Sequence, residues 1–275
     1  MTKILLMLFL FSTYVFSVDQ MKIKAKQKHN IVRVKTTIPY KSVTYLEAQK
    51  HTGDKNNARF ITQISAEVDK KTVFQMTTGP SLSSAMLKFT YQATGAGNAI
   101  KIIVQDNDNY IMQKSTTVKK SQDLTNAFIS QGSRKAIDYR VQKPKAWGET
   151  TINNAIAALY GKVNFIDSGI QLDAPKCVYG RVPIEIKSNL KLTSIAVFQS
   201  SSSYPTSAVI TVYENQPIDY SLWVNVKSYG PEDIQTITVI GEDREGKLYR
   251  AQHKVNAITY THHHCNEKGE VEYDL

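Results

Sequence analysis

Apolar and polar residues alternate with a period of two through most of this chain. Val32, Val34, Thr36 and Ile38 alternate with Arg33, Lys35 and Thr37, and Phe60, Thr62, Ile64, Ala66 and Val68 alternate with mostly polar neighbours. Leu87, Phe89 and Tyr91 follow the same rule, as do Ile100, Ile102 and Val104. Turn-forming stretches separate these runs: Asp69 to Thr72, Gly79-Pro80, Thr94 to Asn98 and Asp106 to Asn109. Successive side chains of a strand point to opposite faces, so short alternating runs between turn residues predict an antiparallel sandwich.

Alternation stops between residues 119 and 146. Ser121 is placed to cap a short helix through Ile129 that Gly132 ends, and the stretch to Pro144 reads as an exposed connection. A clearer helix follows. Thr150 or Thr151 can accept its first amide hydrogen bonds, Ile152, Ala155, Ile156 and Leu159 recur at helical spacing, and Gly161 supplies a left-handed stop. The strand pattern then resumes at Val182, Ile184 and Ile186, and continues over 195–198, 209–213, 218–226, 236–240 and 248–255. Pro183 inside the first of these predicts an edge position, because proline has no amide hydrogen to give a neighbouring strand. The pattern predicts an all-β protein of two immunoglobulin-like antiparallel β-sandwiches with a helical connection. Its expected divisions are a leader at 1–17, a sandwich over 28–119, a basic linker over 120–146, and a second unit over 147–275 with a short helix, a sandwich and a C-terminal cysteine arm.

The leader expectation rests on Lys3, the apolar run Ile4 to Phe11 and small residues before Val18. That run is too short to span a bilayer and fits a cleaved export signal, so the periplasm is the expected compartment. The net charge of +10, from 34 Lys and Arg against 24 Asp and Glu, suits an anionic surface, nucleic acid or acidic small molecules. Export argues against nucleic acid, no membrane partner is expected, and the local basic excess at 119–145 reads as solvated linker charge. The motifs of nucleophile-elbow hydrolases, zincins and phosphate-cradling loops are missing from the sequence. Asp106-x-Asp108 begins like a calcium loop, but Ile111 stands where glycine is needed, so it reads as a hairpin turn. The 15 tyrosines read as strand and sheet-surface residues.

The remaining chemistry lies in Tyr260-Thr-His-His-His-Cys-Asn-Glu-Lys-Gly269. Cys265 follows the last alternating run, on what reads as a mobile tail, and imidazolium groups at His262, His263 and His264 favour its thiolate. Three outcomes stand open. The thiolate can carry a covalent adduct; it can bind zinc or copper with those histidines and a partner such as His253 or Glu267; or it can pair with Cys177, the only other cysteine, in the oxidising space that export provides.

Taken in order, the motifs resemble the two partners of the bacterial Sox sulfur-oxidation carrier joined in one chain. The first half is similar to SoxZ in Val32-Arg-Val-Lys-Thr-Thr-Ile-Pro39, Ala58-Arg-Phe-Ile-Thr62, Thr78-Gly-Pro-Ser81, Leu87-Lys-Phe89 and Ile100 to Asp106. The second half resembles SoxY in Asn154 to Gly161, Gly169 to Pro175, Arg181-Val-Pro-Ile184 and Gly246-Lys-Leu-Tyr249. The resemblance implies a non-catalytic periplasmic carrier that holds sulfur intermediates, such as a thiosulfate-derived group, covalently on Cys265, with no cofactor beyond that adduct. Its implied partners are Sox cytochromes and hydrolases. One departure is plain: the family's arm reads Gly-Gly-Cys-Gly-Gly, whereas here three histidines precede the cysteine and Asn266 to Leu275 follow it. Glycines provide reach without bulk, and this arm lacks them.

Overall fold

The computed structural model describes residues 21–93, 99–120, 137–161, 163–226, 233–258, 263–266, 268 and 270–273, with the backbone alone at 83–85, 263, 264 and 273. The helix expected over 121–129 and the turn at 94–98 lie outside these residues.

Eighteen strands form among the described residues, and each of the ten alternating runs read from the sequence falls on one of them. In the first half they are β1 (Lys22–Lys28), β2 (Ile31–Thr37), β3 (Ile61–Val68), β4 (Lys71–Thr78), β5 (Leu82–Gln92), β6 (Ala99–Asp106), β7 (Ile111–Thr117) and β8 (Lys119–Lys120). The second half contributes β9 (Ile170–Asp173), β10 (Cys177–Tyr179), β11 (Arg181–Ser188), β12 (Leu192–Gln199), β13 (Thr206–Thr211), β14 (Ile218–Asn225), β15 (Gln235–Asp243), β16 (Leu248–Ile258), β17 (His263–Cys265) and β18 (Val271–Tyr273). Three short α-helices accompany them among the described residues: α1 (Tyr45–Thr52), α2 (Tyr139–Gln142) and α3 (Ile152–Tyr160). The chain is therefore all-β and sandwich-like, as expected.

Sequence pattern did not convey how the halves join. Each large sheet runs through both of them: a seven-stranded sheet in the order β8-β1-β2-β5-β14-β11-β9, and a nine-stranded sheet in the order β10-β16-β15-β12-β13-β4-β3-β6-β7. The seam is two antiparallel pairings, β4 with β13 and β5 with β14. Strand edges, not sheet faces, meet there. Continuing the hydrogen-bond ladder satisfies edge amides and carbonyls that would otherwise face water or another chain.

One apolar core fills the space between the sheets and draws on both halves. Phe74 of β4 stacks on Phe89 of β5 with ring centroids 4.1 Å apart, and Tyr220 of β14 meets Phe74 edge-on at 6.0 Å. Tyr91 and Tyr220 are among the largest fully buried side chains, so these two tyrosines are core residues and not sheet-surface ones. The Tyr220 hydroxyl is buried with no hydrogen-bond partner among the described residues, and burial raises its pKa far above the ordinary tyrosine value. An unpaired buried hydroxyl costs about 1–3 kcal/mol. Tyr220→Phe keeps the ring and removes that cost, so it should raise stability by about 1 kcal/mol in a urea titration; a loss of that size would show that the hydroxyl is paired after all.

A second, smaller core lies on the outer face of the nine-stranded sheet. There Ala155, Ile156 and Leu159 of α3 pack with Tyr139, Ala146, Ala196, Phe198, Val209 and Ile240. The helix is built as its sequence predicts: Thr151 accepts a hydrogen bond from the Asn154 amide, and Gly161 closes it at φ 75°. Helix α1 carries a signal that the alternation hid, the Thr44-x-x-Glu47 capping box in which each side chain accepts from the other's backbone amide. Pro183 lies opposite Trp223, and β9 pairs only with 185–188, so the proline has no strand on its other side, as its chemistry requires. The turn at 106–110 is a hairpin: Asp106 Oδ1 accepts from the amides of Asp108 and Tyr110, and Tyr40 donates to Oδ2 at 3.0 Å.

Candidate functional site

The two cysteines come together at one end of the nine-stranded sheet. Cys177 opens β10, the terminal strand, which runs parallel to β16 in the register Cys177 with Asn256, Val178 with Ala257 and Tyr179 with Ile258. Val178 packs against the main core, so Cys177 and Tyr179 project to the opposite, outer face. A hydrogen bond from the Asn256 amide to the Lys176 carbonyl (2.8 Å) holds the strand's entry. Cys177 is buried, and Tyr179 two residues on is 63% exposed.

Cys265 is disulfide-bonded to Cys177, with Cα atoms 5.7 Å apart and a sequence separation of 88. Neither cysteine is free. This departs from the expectation of a cysteine swinging on a mobile tail beyond the last strand. Cys265 ends β17, which forms a hairpin with β18 in the register His263 with Tyr273, His264 with Glu272 and Cys265 with Val271. Asn266, immediately after the cysteine, makes the turn: its Oδ1 accepts from the amides of Lys268 (3.0 Å) and Glu270 (2.9 Å), and its Nδ2 donates to Glu272 at 2.8 Å. An asparagine side chain imitating a backbone turn is the usual device for this bend. It was legible as Asn266 in a polar stretch, but the short strands around it carry too little apolar pattern to be read.

The expected metal ligands do not converge. His253 lies on β16 with Val255 and Ala257, which are core residues, so strand alternation directs it to the inner face, away from Cys177. Its Nε2 is buried with no hydrogen-bond partner among the described residues. His262 and Glu267 lie outside the described residues, and His263 and His264 are placed by backbone only. Among the described residues no group of three or more His, Cys, Asp or Glu side chains could hold a metal ion. What the geometry offers is a sulfur-sulfur bond with one buried sulfur and one half-buried one.

The seam between the halves was not read from the sequence as a contact. Thr78-Gly-Pro-Ser81 crosses from β4 to β5 directly against the second half: the Gly79 amide donates to the Ser207 carbonyl (2.9 Å), the Asn225 amide donates to the Ser81 carbonyl (2.9 Å), and the Ser81 and Ser207 hydroxyls are 3.0 Å apart. Arg140 clamps the same point from the connection, donating from Nε and Nη2 to the Thr78 carbonyl at 3.0 and 2.8 Å. Its guanidinium lies over the Trp147 ring at 4.5 Å and the Phe60 ring at 5.2 Å. Burial draws the pKa of Arg140 below the ordinary arginine value, against the smaller opposing influence of Tyr45 and Asp138. Farther along the seam, Lys88 pairs with Asp219 at 3.2 Å, and Thr90 and Gln216 bridge it by side-chain hydrogen bonds.

Comparison with known families attaches to the N-terminal part of this frame. Residues 21–117 match the family described as sulphur oxidation protein SoxZ, so that segment is a SoxZ-like domain and its family belongs to sulfur oxidation. No curated protein matches the chain. Among solved structures, superoxide reductase (neelaredoxin) from Ignicoccus hospitalis aligns at 10% identity over 33% of this chain and 81% of its own, with a TM-score of 0.25. The central fibronectin-III array of RIM-binding protein aligns at 8% identity over 87% of this chain and 68% of its own, with a TM-score of 0.23.

Proposed function

We propose that this protein is an exported carrier of sulfur oxidation, a SoxZ-like half fused to a SoxY-like half, in which Cys265 holds a sulfur intermediate covalently once its bond to Cys177 is opened. One observation carries the reading: the SoxZ-like segment is joined through both sheets to a second β half that bears the protein's two cysteines, paired at its far end. A structural staple is the second reading, favoured by the burial of Cys177.

The carrier step balances without an outside oxidant. Sulfite or hydrosulfide attacks Cys265 Sγ, the more accessible of the two sulfurs. The sulfur-sulfur bond breaks, its electron pair leaves on Cys177 as a thiolate, and Cys265 becomes an S-sulfonate or a persulfide. The disulfide is the oxidant, and reclosure on Cys177 can expel the cargo. The periplasm is the proposed compartment, and Sox cytochromes and hydrolases are the proposed partners; imidazolium from His262, His263 and His264 is proposed to keep released Cys265 ionised.

Incubating the intact protein with sulfite, then mapping the adduct by peptide mass spectrometry, tests this. The expected result is one S-sulfonate on Cys265 with Cys177 free, and no adduct in Cys265→Ser. An adduct confined to Cys177, or a wild type that never gains mass with sulfite or sulfide, sinks the carrier reading and leaves the staple.

A further inference from the structure

Lysine recurs at every second position of β1: Lys22, Lys24, Lys26 and Lys28 are all exposed, while of the residues between them Ala25 and Gln27 are buried and Ile23 is half-buried. On β2, Arg33 and Lys35 are exposed on the same face. The register sets these cations directly opposite one another, Lys24 with Lys35 and Lys26 with Arg33, and on the other side β8 brings Lys119 opposite Lys26. No Asp or Glu occurs between Asp19 and Glu47. None of these cations has a carboxylate within ion-pair distance among the described residues; the nearest pair in the same sheet, Lys88 with Asp219, belongs to the seam. Like charges directly opposite in a sheet are destabilising, so folding alone does not account for this arrangement.

The face is also bare of apolar anchors. No exposed large hydrophobic residue lies on β1, β2 or β8. Shaped protein interfaces are enriched in aromatic residues and arginine and depleted in lysine. A flat lattice of mobile ammonium groups, spaced about 7 Å along each strand and about 5 Å across, suits a diffuse anionic surface better than a shaped partner. We propose that the outer face of β1, β2 and β8 docks the protein peripherally on a membrane surface of anionic phospholipid. The expectation of no membrane partner rested on the lack of a spanning segment, and no helix among the described residues is long and apolar enough to cross a bilayer. Peripheral docking requires neither.

The docking face is far from the disulfide, so this inference stands or falls apart from the carrier reading. Strand β1 touches β7, and β7 and β10 are opposite ends of the nine-stranded sheet. At about 4.8 Å per strand the separation is about 40 Å, and a docked protein leaves Cys265 open to the aqueous phase.

The test is co-sedimentation of the protein with vesicles of phosphatidylglycerol and phosphatidylcholine in equal parts, against phosphatidylcholine alone, at low and at high salt. Binding is expected only with phosphatidylglycerol and is expected to be lost at high salt. Each neutralised lysine should weaken it about fivefold, so Lys24→Gln, Lys26→Gln and Lys35→Gln together should weaken it about a hundredfold. A control with the same charge change at exposed Lys50, Lys55 and Lys70 should bind as wild type. Circular dichroism of both triple variants checks that they are folded. Equal binding to both vesicle types, or equal loss in the control, overturns the proposal. Binding to soluble polyglutamate as tight as to vesicles overturns it as well, since the face would then serve an acidic macromolecule and not lipid.

Discussion

Reducing the Cys177–Cys265 bond should lower the unfolding free energy by about 4–5 kcal/mol, and the melting temperature by about 10 °C or more. The figure follows from the 88-residue separation, because a cross-link that long removes much of the unfolded chain's loop-closure entropy. The native side of the balance is small: Cys177 is already held on β16 by strand pairing, so opening the bond leaves β10 in place. The β17–β18 hairpin, which that bond ties to β10, should come loose first. Differential scanning calorimetry with and without reductant gives the total. Hydrogen exchange gives the order, with amides at 263–273 losing protection before those of β15 and β16. A melting temperature that reductant leaves unchanged would mean that the two sulfurs are not bonded in solution. Cys177→Ser and Cys265→Ser should each reproduce the reduced value, since either removes the same cross-link.

Gly79→Ala should be nearly as damaging for a change of one methyl group, with a loss of about 2–4 kcal/mol. A Cβ at position 79 would lie 2.4 Å from the Thr206 carbonyl oxygen and 3.4 Å from the Trp147 ring. The carbonyl belongs to the backbone at the start of β13 and has no flexible end to move aside. Relief requires the β4–β5 crossing and β13 to separate, which breaks the Gly79 to Ser207 hydrogen bond and draws the Ser81 and Ser207 hydroxyls apart. Urea titration measures the loss. A midpoint within about 0.5 kcal/mol of wild type, the range of an ordinary surface change, would show that the seam yields easily and is not the fixed joint described above.

The glycine-proline step at 79–80 was legible only as a chain break, because periodicity reports which face a residue takes and says nothing of which strand lies beside it. The same limit hid β1. Its lysines alternate with Met21, Ile23, Ala25 and Gln27, too weak an apolar set to register as a core face, although all but Ile23 are buried. It also hid the charge lattice: the basic residues looked scattered along the chain until the β1–β2–β8 register set them side by side. His253 was legible as a metal donor near a cysteine tail, and only the position of β16 between β15 and β10 turned it to the inner face.

By itself the sequence determined the all-β class, the ten strands with clear alternation, the 152–160 helix with both its caps, and the hairpin at Asp106, because each depends on residues within a turn or two of one another. It also marked Cys177 and Cys265 as the reactive pair and left the choice among adduct, metal and disulfide open. The tertiary structure decided what contiguous residues cannot encode. Two strand edges from separate halves join into continuous sheets, a terminal strand carries Cys177 to within 5.7 Å of Cys265 between Cα atoms, and the cations of three strands share one face. Those pairings are set by which edges remain open once each half has buried its own apolar face, and that is a property of the folded surface, which no local pattern contains.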